Sequence, residues 1–368
     1  MAEFHSYPGR DDREEPLVRV TLKDIADEAG VSMMTVSNVV NGKRARVSPE
    51  TIERIQRIVA ERGYVPSASA RSLAAKSSRL IGLLVPAADE DSLMISPHNV
   101  AIVGQIEREL RKGGYHLLLR GIAAPAEVAE ALQSWSLDGA VLLGFLDEEI
   151  DRLTPRTVGK VSLLAIDSYS ANPLTTGVRS DDYTGALLAA RHLLELGHRE
   201  IVFAGPSFSE VGVVHERFAG FQAAFAEAGL VWRERKVSAN TTHASGRELG
   251  RRLKSSHPSA TAVFATADIL AIGIMEGLAE SGFSVPDDVS VLGFDDLDLS
   301  AYVTPKLTTI AQDIPRKAAI AVQLLLGTIE GKEHPVAPIT LEVRLIERGS
   351  TASPPLLAGP GLEQQDAG

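Results

Sequence analysis

Along residues 22–29, LKDIADEA, apolar side chains fall at Leu22, Ile25, Ala26 and Ala29, the spacing of one helical face. Thr21 stands where it can cap the first turn, and Gly30 ends the helix. Ser32 then caps a second helix that runs to about Asn41 and keeps Val36, Val39 and Val40 on one side. Ser48, Pro49 and Glu50 open a third, with Ile52, Ile55, Ile58 and Val59 turned inward and Gly63 as the stop. Two short helices joined by a tight, glycine-containing turn predict a helix-turn-helix, whose second helix enters the major groove of DNA.

After Pro66 the pattern changes. Residues 67–75, SASARSLAA, are small and too few to make a stable helix alone, so they read as a hinge helix that forms conditionally. From Arg79 onward, short apolar runs alternate with helical stretches: LIGLLVP, YHLLLRG, GAVLLG, SLLAID, EIVFAGP, AVFAT and VSVLGFDD. Such alternation predicts parallel sheets with right-handed helical crossovers. The tail from Gly349 is rich in proline and glycine, carries no leucine heptads, and is expected to be disordered, as are residues 1–19.

A chain of 368 residues suits a small domain followed by a larger, two-lobed one. The absence of cysteine excludes disulfide staples, thiolate nucleophiles and Cys-based zinc sites and agrees with a reducing compartment. The nine histidines show no ligand spacing, so no metal is expected. The first residues carry no apolar signal region and no apolar run reaches membrane-spanning length, which points to the cytoplasm. We find no G-x-S-x-G, G-x-x-x-x-G-K or G-x-G-x-x-G, which argues against an enzyme and implies no cofactor.

A formal charge of −11 looks wrong for a DNA binder until it is divided along the chain. Between residues 17 and 79 eleven Lys and Arg face six acidic residues. A basic head on an acidic body places the phosphate-seeking surface at one end.

The headpiece TLKDIADEAGVSMMTVSNVVNG, the helix VSPETIERIQRIVAERGYVP and the hinge ARSLAA resemble, in order and spacing, the LacI/GalR (lactose repressor/galactose repressor) family of bacterial transcription regulators. So do VRSDDYTGALLAARHLLELGHREI, HERFAGF, VPDDVSVLGFDD and LTTIAQD further on, and the likeness runs from Val20 to Arg348. The resemblance implies an all-α helix-turn-helix headpiece over 20–66, a hinge over 67–78, and a body over 79–348 that binds an effector and dimerises. That body is expected to be a two-lobed, periplasmic-binding-protein-like α/β domain with parallel sheets and three crossovers. We place the N-lobe at about 79–179 and 313–338 and the C-lobe at about 180–312 and 339–348, with crossings near Ser180 and Gln312.

The implied function is sequence-specific, homodimeric binding to a pseudo-palindromic operator, with repression as the default sense and a small polar effector, a sugar or derivative, as the allosteric control. The alternatives are an effector-independent DNA binder with a degenerate pocket, and a solute-binding protein. The latter shares the body but lacks the pattern of residues 20–75.

The resemblance puts Met33 and Met34 at the start of the recognition helix, facing base edges. Two thioethers cannot make bidentate hydrogen bonds, so contact with thymine methyls or indirect readout follows, unless one Met packs in the headpiece core. Asn38 stands where many family members carry Arg, and an Asn pairs with adenine rather than guanine. Thr21, Leu22, Ser32, Thr35, Ser37, Asn41, Arg46 and Ser48, with Ser67 and Arg71 of the hinge, are the remaining candidates for DNA contact, although several are equally helix caps. Leu73, the bulky apolar residue of the hinge, is implied to be a minor-groove wedge. Leu73→Ala is therefore expected to weaken operator binding and abolish bending, which gel-shift and bend-angle measurements check.

For the effector, Arg217 offers a guanidinium fork suited to two hydroxyls or a carboxylate. Asp167 and Asp295 follow β-like runs, at the strand ends where α/β sheets open their crevices, although turn capping is the alternative for both. Asp268 is either a ligand group or the cap of the following helix. Ser96, Pro97, His98 and Asn99 occupy the place where many relatives carry Asn-Pro-Phe-Phe, which stacks on planar rings. The loss of both aromatics argues against a purine and suits a hydroxyl-rich ligand, with Ser96, His98 and Asn99 as polar contacts. Thr241 aligns with a position that is often aromatic in the second lobe.

Overall fold

Thr21 begins helix α1 (Leu22–Ala29) by accepting the Asp24 amide, while the Asp24 carboxylate takes the Thr21 amide at 2.8 Å. The two orphan donors of the first turn are thereby satisfied reciprocally. Gly30 leaves the helix with φ of 63°, a left-handed conformation that glycine adopts without steric cost, and turns the chain into α2 (Met33–Val40). Ser32 and Ser48 cap α2 and α3 (Pro49–Glu61) by accepting the Thr35 and Thr51 amides. Ile25, Ala26, Ala29, Val36, Val39, Ile55 and Ile58 close the small core, and Arg62 bonds Glu28 at 2.8 Å across it.

The computed structural model describes residues 20–65, 77–87, 95–207, 210–233, 235–332 and 337–355. It divides into two units between Ser78 and Arg79, as the change of sequence pattern predicts. The hinge candidates Ser67, Arg71 and Leu73 lie outside the described residues.

The second unit begins with β1 (Leu80–Pro86), α4 (Pro97–Lys112), β2 (His116–Ile122), α5 (Pro125–Ser134), β3 (Gly139–Leu143), α6 (Asp147–Asp151), α7 (Pro155–Val158), β4 (Ser162–Ile166) and β5 (Thr175–Ser180). It crosses into α8 (Asp182–Glu195), β6 (Ile201–Gly205), α9 (Val213–Glu227), β7 (Lys236–Ser238), α10 (His243–Ser256), β8 (Ala262–Ala265), α11 (Asp268–Glu280), β9 (Ser290–Asp295), α12 (Asp298–Tyr302) and β10 (Thr308–Ala311). It then returns through α13 (Ile314–Ile329) to β11 (Ile339–Leu341) and crosses again to β12 (Arg344–Ile346).

Two six-stranded sheets result, in the orders β11-β5-β4-β3-β1-β2 and β12-β10-β9-β8-β6-β7. Every pairing is parallel except β10 with β12. The apolar runs are continuous because helices cover both faces. From β1, Ile81, Leu83 and Val85 pack with Ile102 and Ile106 of α4 and Leu325 of α13, while Leu84 faces Val128 and Leu132 of α5.

Two expected boundaries move. Residues 339–341 pair with β5 and belong to the first lobe, so the third crossing falls between Leu341 and Arg344, not at residue 339. At three residues, Ile-Thr-Leu, β11 is too short to carry an apolar run that would mark it. The tail from Gly349 forms no helix or strand in its described residues, yet its start is docked: Ser350 is fully buried, its backbone carbonyl accepts the Val291 N–H at 2.8 Å, and its hydroxyl accepts the Thr308 amide at 2.8 Å. The Ala352 carbonyl in turn accepts from the buried His198 at 2.8 Å, so the start of the tail is tied to β9, β10 and the loop before β6 without joining the sheet.

Candidate effector cleft and DNA-reading surface

Met33 and Met34 are 55% and 70% exposed at the first turn of α2 while Val36 and Val39 take the inward positions, so neither Met fills the headpiece core. Thr35, Ser37 and Asn38 lie on the same short helix, half-buried, and Asn41 is held by a 2.8 Å bond from its amide to the Ser37 carbonyl. Arg46 is exposed in the loop before α3. Thr21, Ser32 and Ser48 act as helix caps, which fixes their hydroxyls in place without needing a phosphate to explain them. Leu22 is different: it packs against the headpiece core and serves the fold first.

In the body a cavity of about 510 Å³ opens at the strand ends of both sheets, within the range of small-molecule sites. Ser96, His98, Asn99, Asp167, Arg217, Thr241 and Asp295 all line it. Asp268 does not. Its buried carboxylate accepts the Leu297 amide at 2.9 Å, the Thr309 hydroxyl at 2.5 Å and the Ser300 hydroxyl, tying α11 to β10 and α12. Burial, reinforced by the charge of Asp295, pushes its pKa up to about 7. It is a structural acid, because every donor around it belongs to the protein.

The two strand-end acids adopt left-handed backbone, φ of 54° at Asp167 and 130° at Asp295. Such strain persists only where the surroundings impose it, and it collects at ligand sites. Here a buried network does so. Lys317 of α13, with no side-chain exposure, places its Nζ 2.5 Å from Asp167 Oδ1 and 2.6 Å from Gln312 Oε1. The Gln312 amide donates to Asp295 Oδ1 at 2.8 Å, and the Ser180 hydroxyl donates to Gln312 Oε1 at 2.7 Å. Ser180 and Gln312 stand at the first two crossings, so the network joins both crossings to the terminal acid of each sheet. Burial opposes the charge on Asp167, but Lys317 and His98 outweigh it and hold the carboxyl well below its ordinary range. His98 lies between the lobes, Nε2 3.4 Å from Asp167 and Nδ1 3.4 Å from Asp295.

The Arg217 guanidinium carbon stands over the Phe294 ring, 3.6 Å from its centroid, and the residue is buried. Its Nε and Nη2 reach Asp182 Oδ1 at 2.9 and 2.8 Å, and Nη1 donates to the Thr266 carbonyl at 2.5 Å. Asp182 Oδ2 accepts the Tyr169 hydroxyl at 3.0 Å, and Tyr169 stacks on the Arg179 guanidinium at 3.9 Å. Burial pushes the Asp182 pKa up and the guanidinium opposes it. Both of its oxygens accept from donors, Oδ1 from Arg217 and Oδ2 from Tyr169.

Gly220, one turn after Arg217, makes this approach geometrically possible. A Cβ there would stand 2.0 Å from the Tyr183 carbonyl, next to Asp182. Gly220→Ala is expected to push α9 from α8, cost about 1–3 kcal/mol in a urea melt, and weaken ligand binding more than operator binding.

Several lining residues carried no signal in the sequence. Asp147 is buried at the start of α6, its Oδ1 accepting from Ser168 at 2.5 Å and from the amides of Tyr169 and Ser170 at 2.7 and 3.0 Å. Its Oδ2 accepts none of these bonds and lies 3.0 Å from where a Cβ on Gly212 of the other lobe would stand. Glu148, Phe145, Val211, Val213 and Val214 also line the cavity.

A three-helix headpiece with an exposed reading helix, joined in one chain to a two-lobed body with a polar interlobe cleft, defines a ligand-responsive DNA-binding regulator. Residues 21–67 match the bacterial regulatory proteins of the lacI family, and residues 190–351 match the periplasmic binding protein-like domain. The HTH-type transcriptional repressor PurR of Erwinia tasmaniensis is 34% identical over 341 residues, 91% of this chain and 98% of that protein. The chain belongs to the lacI family of transcriptional repressors. Among solved structures, the lac repressor dimer bound to operator and the anti-inducer ONPF superposes with a TM-score of 0.79 at 27% identity, covering 90% of this chain and 99% of that one. A lacI-family regulator from Enterococcus faecium with bound ribose superposes with a TM-score of 0.64 at 31% identity, covering 74% and 99%.

Proposed function

We propose that this protein is a cytoplasmic, homodimeric repressor whose hold on a pseudo-palindromic operator is set by a hydroxyl-rich ligand, a sugar or sugar derivative, bound between the lobes. The observation that carries the ligand class is the convergence of Asp147, Asp167, Asp295, Arg217, Asn99 and Thr241 on one cavity, with Phe145 the single Phe, Tyr or Trp among its described lining residues and the His98 imidazole engaged between Asp167 and Asp295. Carboxylates and a guanidinium hold vicinal hydroxyls through paired bonds, whereas a planar base needs ring faces to stack on. The ribose bound by the Enterococcus faecium relative is in keeping with this choice. The fold and its lacI-family relatives support a role in regulation and none in catalysis.

Binding a ligand that distinguishes two lobe arrangements shifts their populations, and the operator reports the shift. The test is a thermal-shift screen of monosaccharides, oligosaccharides, polyols and nucleobases on the full chain. A ligand at a hundredfold excess over its dissociation constant adds about 2.7 kcal/mol of stability. Stabilisation by nucleobases with none by sugars would overturn the ligand class.

On the DNA side we assign base reading to Met33, Met34 and Asn38. Because both Met side chains are largely exposed, the double variant Met33→Ala/Met34→Ala should unfold within about 0.5 kcal/mol of the parent. It should nevertheless lose preference for its operator by about 1–3 kcal/mol per half-site, the scale of one mismatched base pair. Selection from random duplexes followed by gel shift measures both. An unchanged selected sequence would remove the two residues from the reading surface.

A further inference from the structure

Arg217 is the single Lys or Arg among the described residues lining the cleft, and its charge is already spent. Asp182, almost wholly buried behind it, takes two of its nitrogens on one oxygen at 2.8 and 2.9 Å. Lys317, a second permanent cation behind the lining, is fully buried and directed to Asp167 and Gln312, and the Arg179 guanidinium is stacked on Tyr169. Asp147 Oδ2 and the exposed Glu148 face the opening with no cation bonded to them in the described structure, and Asp295 accepts from a neutral amide. Among the described lining residues one permanent cation, Arg217, thus meets four carboxylates, Asp147, Glu148, Asp167 and Asp295, with the His98 imidazole between the last two; behind the lining, Lys317 and Arg179 stand against Asp182. A concave site whose lining carries an excess of one sign of charge focuses its field and disfavours ligands of the same sign.

Resting on the reading of this cleft as the effector site, we infer that it selects by charge: it takes an uncharged sugar and rejects phosphorylated or carboxylated sugars, with Asp182 as the residue that sets this specificity. Asp182 does so without touching the ligand. By neutralising Arg217 it leaves the guanidinium as a hydrogen-bond fork with no net charge to offer. An oxyanion at the fork would have to share the guanidinium with Asp182 while lying near Asp147 and Asp295, and like charges placed together across a buried contact cost several powers of ten in affinity.

The experiment is calorimetry and thermal shift on the full chain with matched probes: ribose against ribose 5-phosphate, glucose against glucose 6-phosphate, galactose against galacturonate, and inorganic phosphate alone. The wild type should bind at least one neutral sugar, bind its anionic partner at least about 100-fold more weakly, and gain no stability from phosphate. Asp182→Asn, which frees the Arg217 charge, should acquire phosphate-dependent stabilisation and improve anionic binding by about tenfold or more. Asp147→Asn keeps the three bonds on the side-chain oxygen and removes one cleft charge, so it should relax the discrimination in the same direction even if Asp182→Asn does not fold. Anionic probes binding the wild type as tightly as their neutral partners would overturn the charge rule, as would the absence of any phosphate response in both variants. Failure of every neutral sugar, with the phosphate response still confined to the variants, would instead overturn the sugar reading and leave the charge rule standing.

Discussion

Arg217→Ala abolishes the ligand response, and it does so by two separable routes. The side chain is the fork of the cleft, and it is also the partner of a buried carboxylate, Asp182, at 2.8 Å. Removing one member of a buried pair strands the other, at a cost of about 3–5 kcal/mol, so the single variant should melt well below the wild type. The double variant Arg217→Ala/Asp182→Asn removes the stranded charge and should regain most of that stability. Its operator affinity without ligand should match the wild type, because neither residue lies in the headpiece. Sugar should no longer change that affinity. Melting curves and operator titrations with and without sugar give the four numbers needed. A double variant that folds and still responds to sugar would show that the ligand is held elsewhere.

The stranded charge also explains what could be read from the sequence and what could not. The headpiece was legible because its rules are local: each helix is bounded by its own cap, Thr21, Ser32 or Ser48, and each buries residues three and four apart. The central strands were legible because sheets covered on both faces need unbroken apolar runs, and LIGLLVP is β1 in full. The short strands β7, β11 and β12 and the polar β5 have no such run, and their pairing depends on partners far along the chain.

The same division holds in the cleft. Asp167 and Asp295 could be found because ligand groups collect at strand ends, and Arg217 and His98 because of their motif positions. Lys317 bonds Asp167 across 150 residues and Ser180 bonds Gln312 across 132, distances over which no sequence pattern carries the pairing. One signal was available: a lone Lys inside the apolar helix IPRKAAIAVQLLL is a buried cation in search of a carboxylate. Asp268 misled for a related reason. It opens a helix where it could have been a ligand group or a cap, but Ala267 is the N-cap and Leu297, Ser300 and Thr309 take the Asp268 oxygens.

Lys317→Met should have the second large effect, on stability and on coupling together. Methionine fills much of the lysine volume but leaves Asp167 without its ammonium and Gln312 without one donor, and the loss expected is about 3–5 kcal/mol at neutral pH. The pH dependence carries the sign. Asp167 has a depressed pKa in the folded protein, so its contribution is fully present above its unfolded pKa and is lost as pH falls through the folded one. In the variant the depression is relieved, so the gap between wild type and Lys317→Met should be widest near neutrality and shrink below about pH 4. A urea series across that range measures it, and a gap independent of pH would mean that lost packing, rather than the ion pair, is responsible. The coupling follows from position. Lys317 holds Gln312 at one crossing, Gln312 holds Ser180 at another, and both reach the acids that end the two sheets. With this tie cut, the lobes should sample their arrangements without ligand, and the ratio of operator affinities with and without sugar should fall toward one even where sugar still binds.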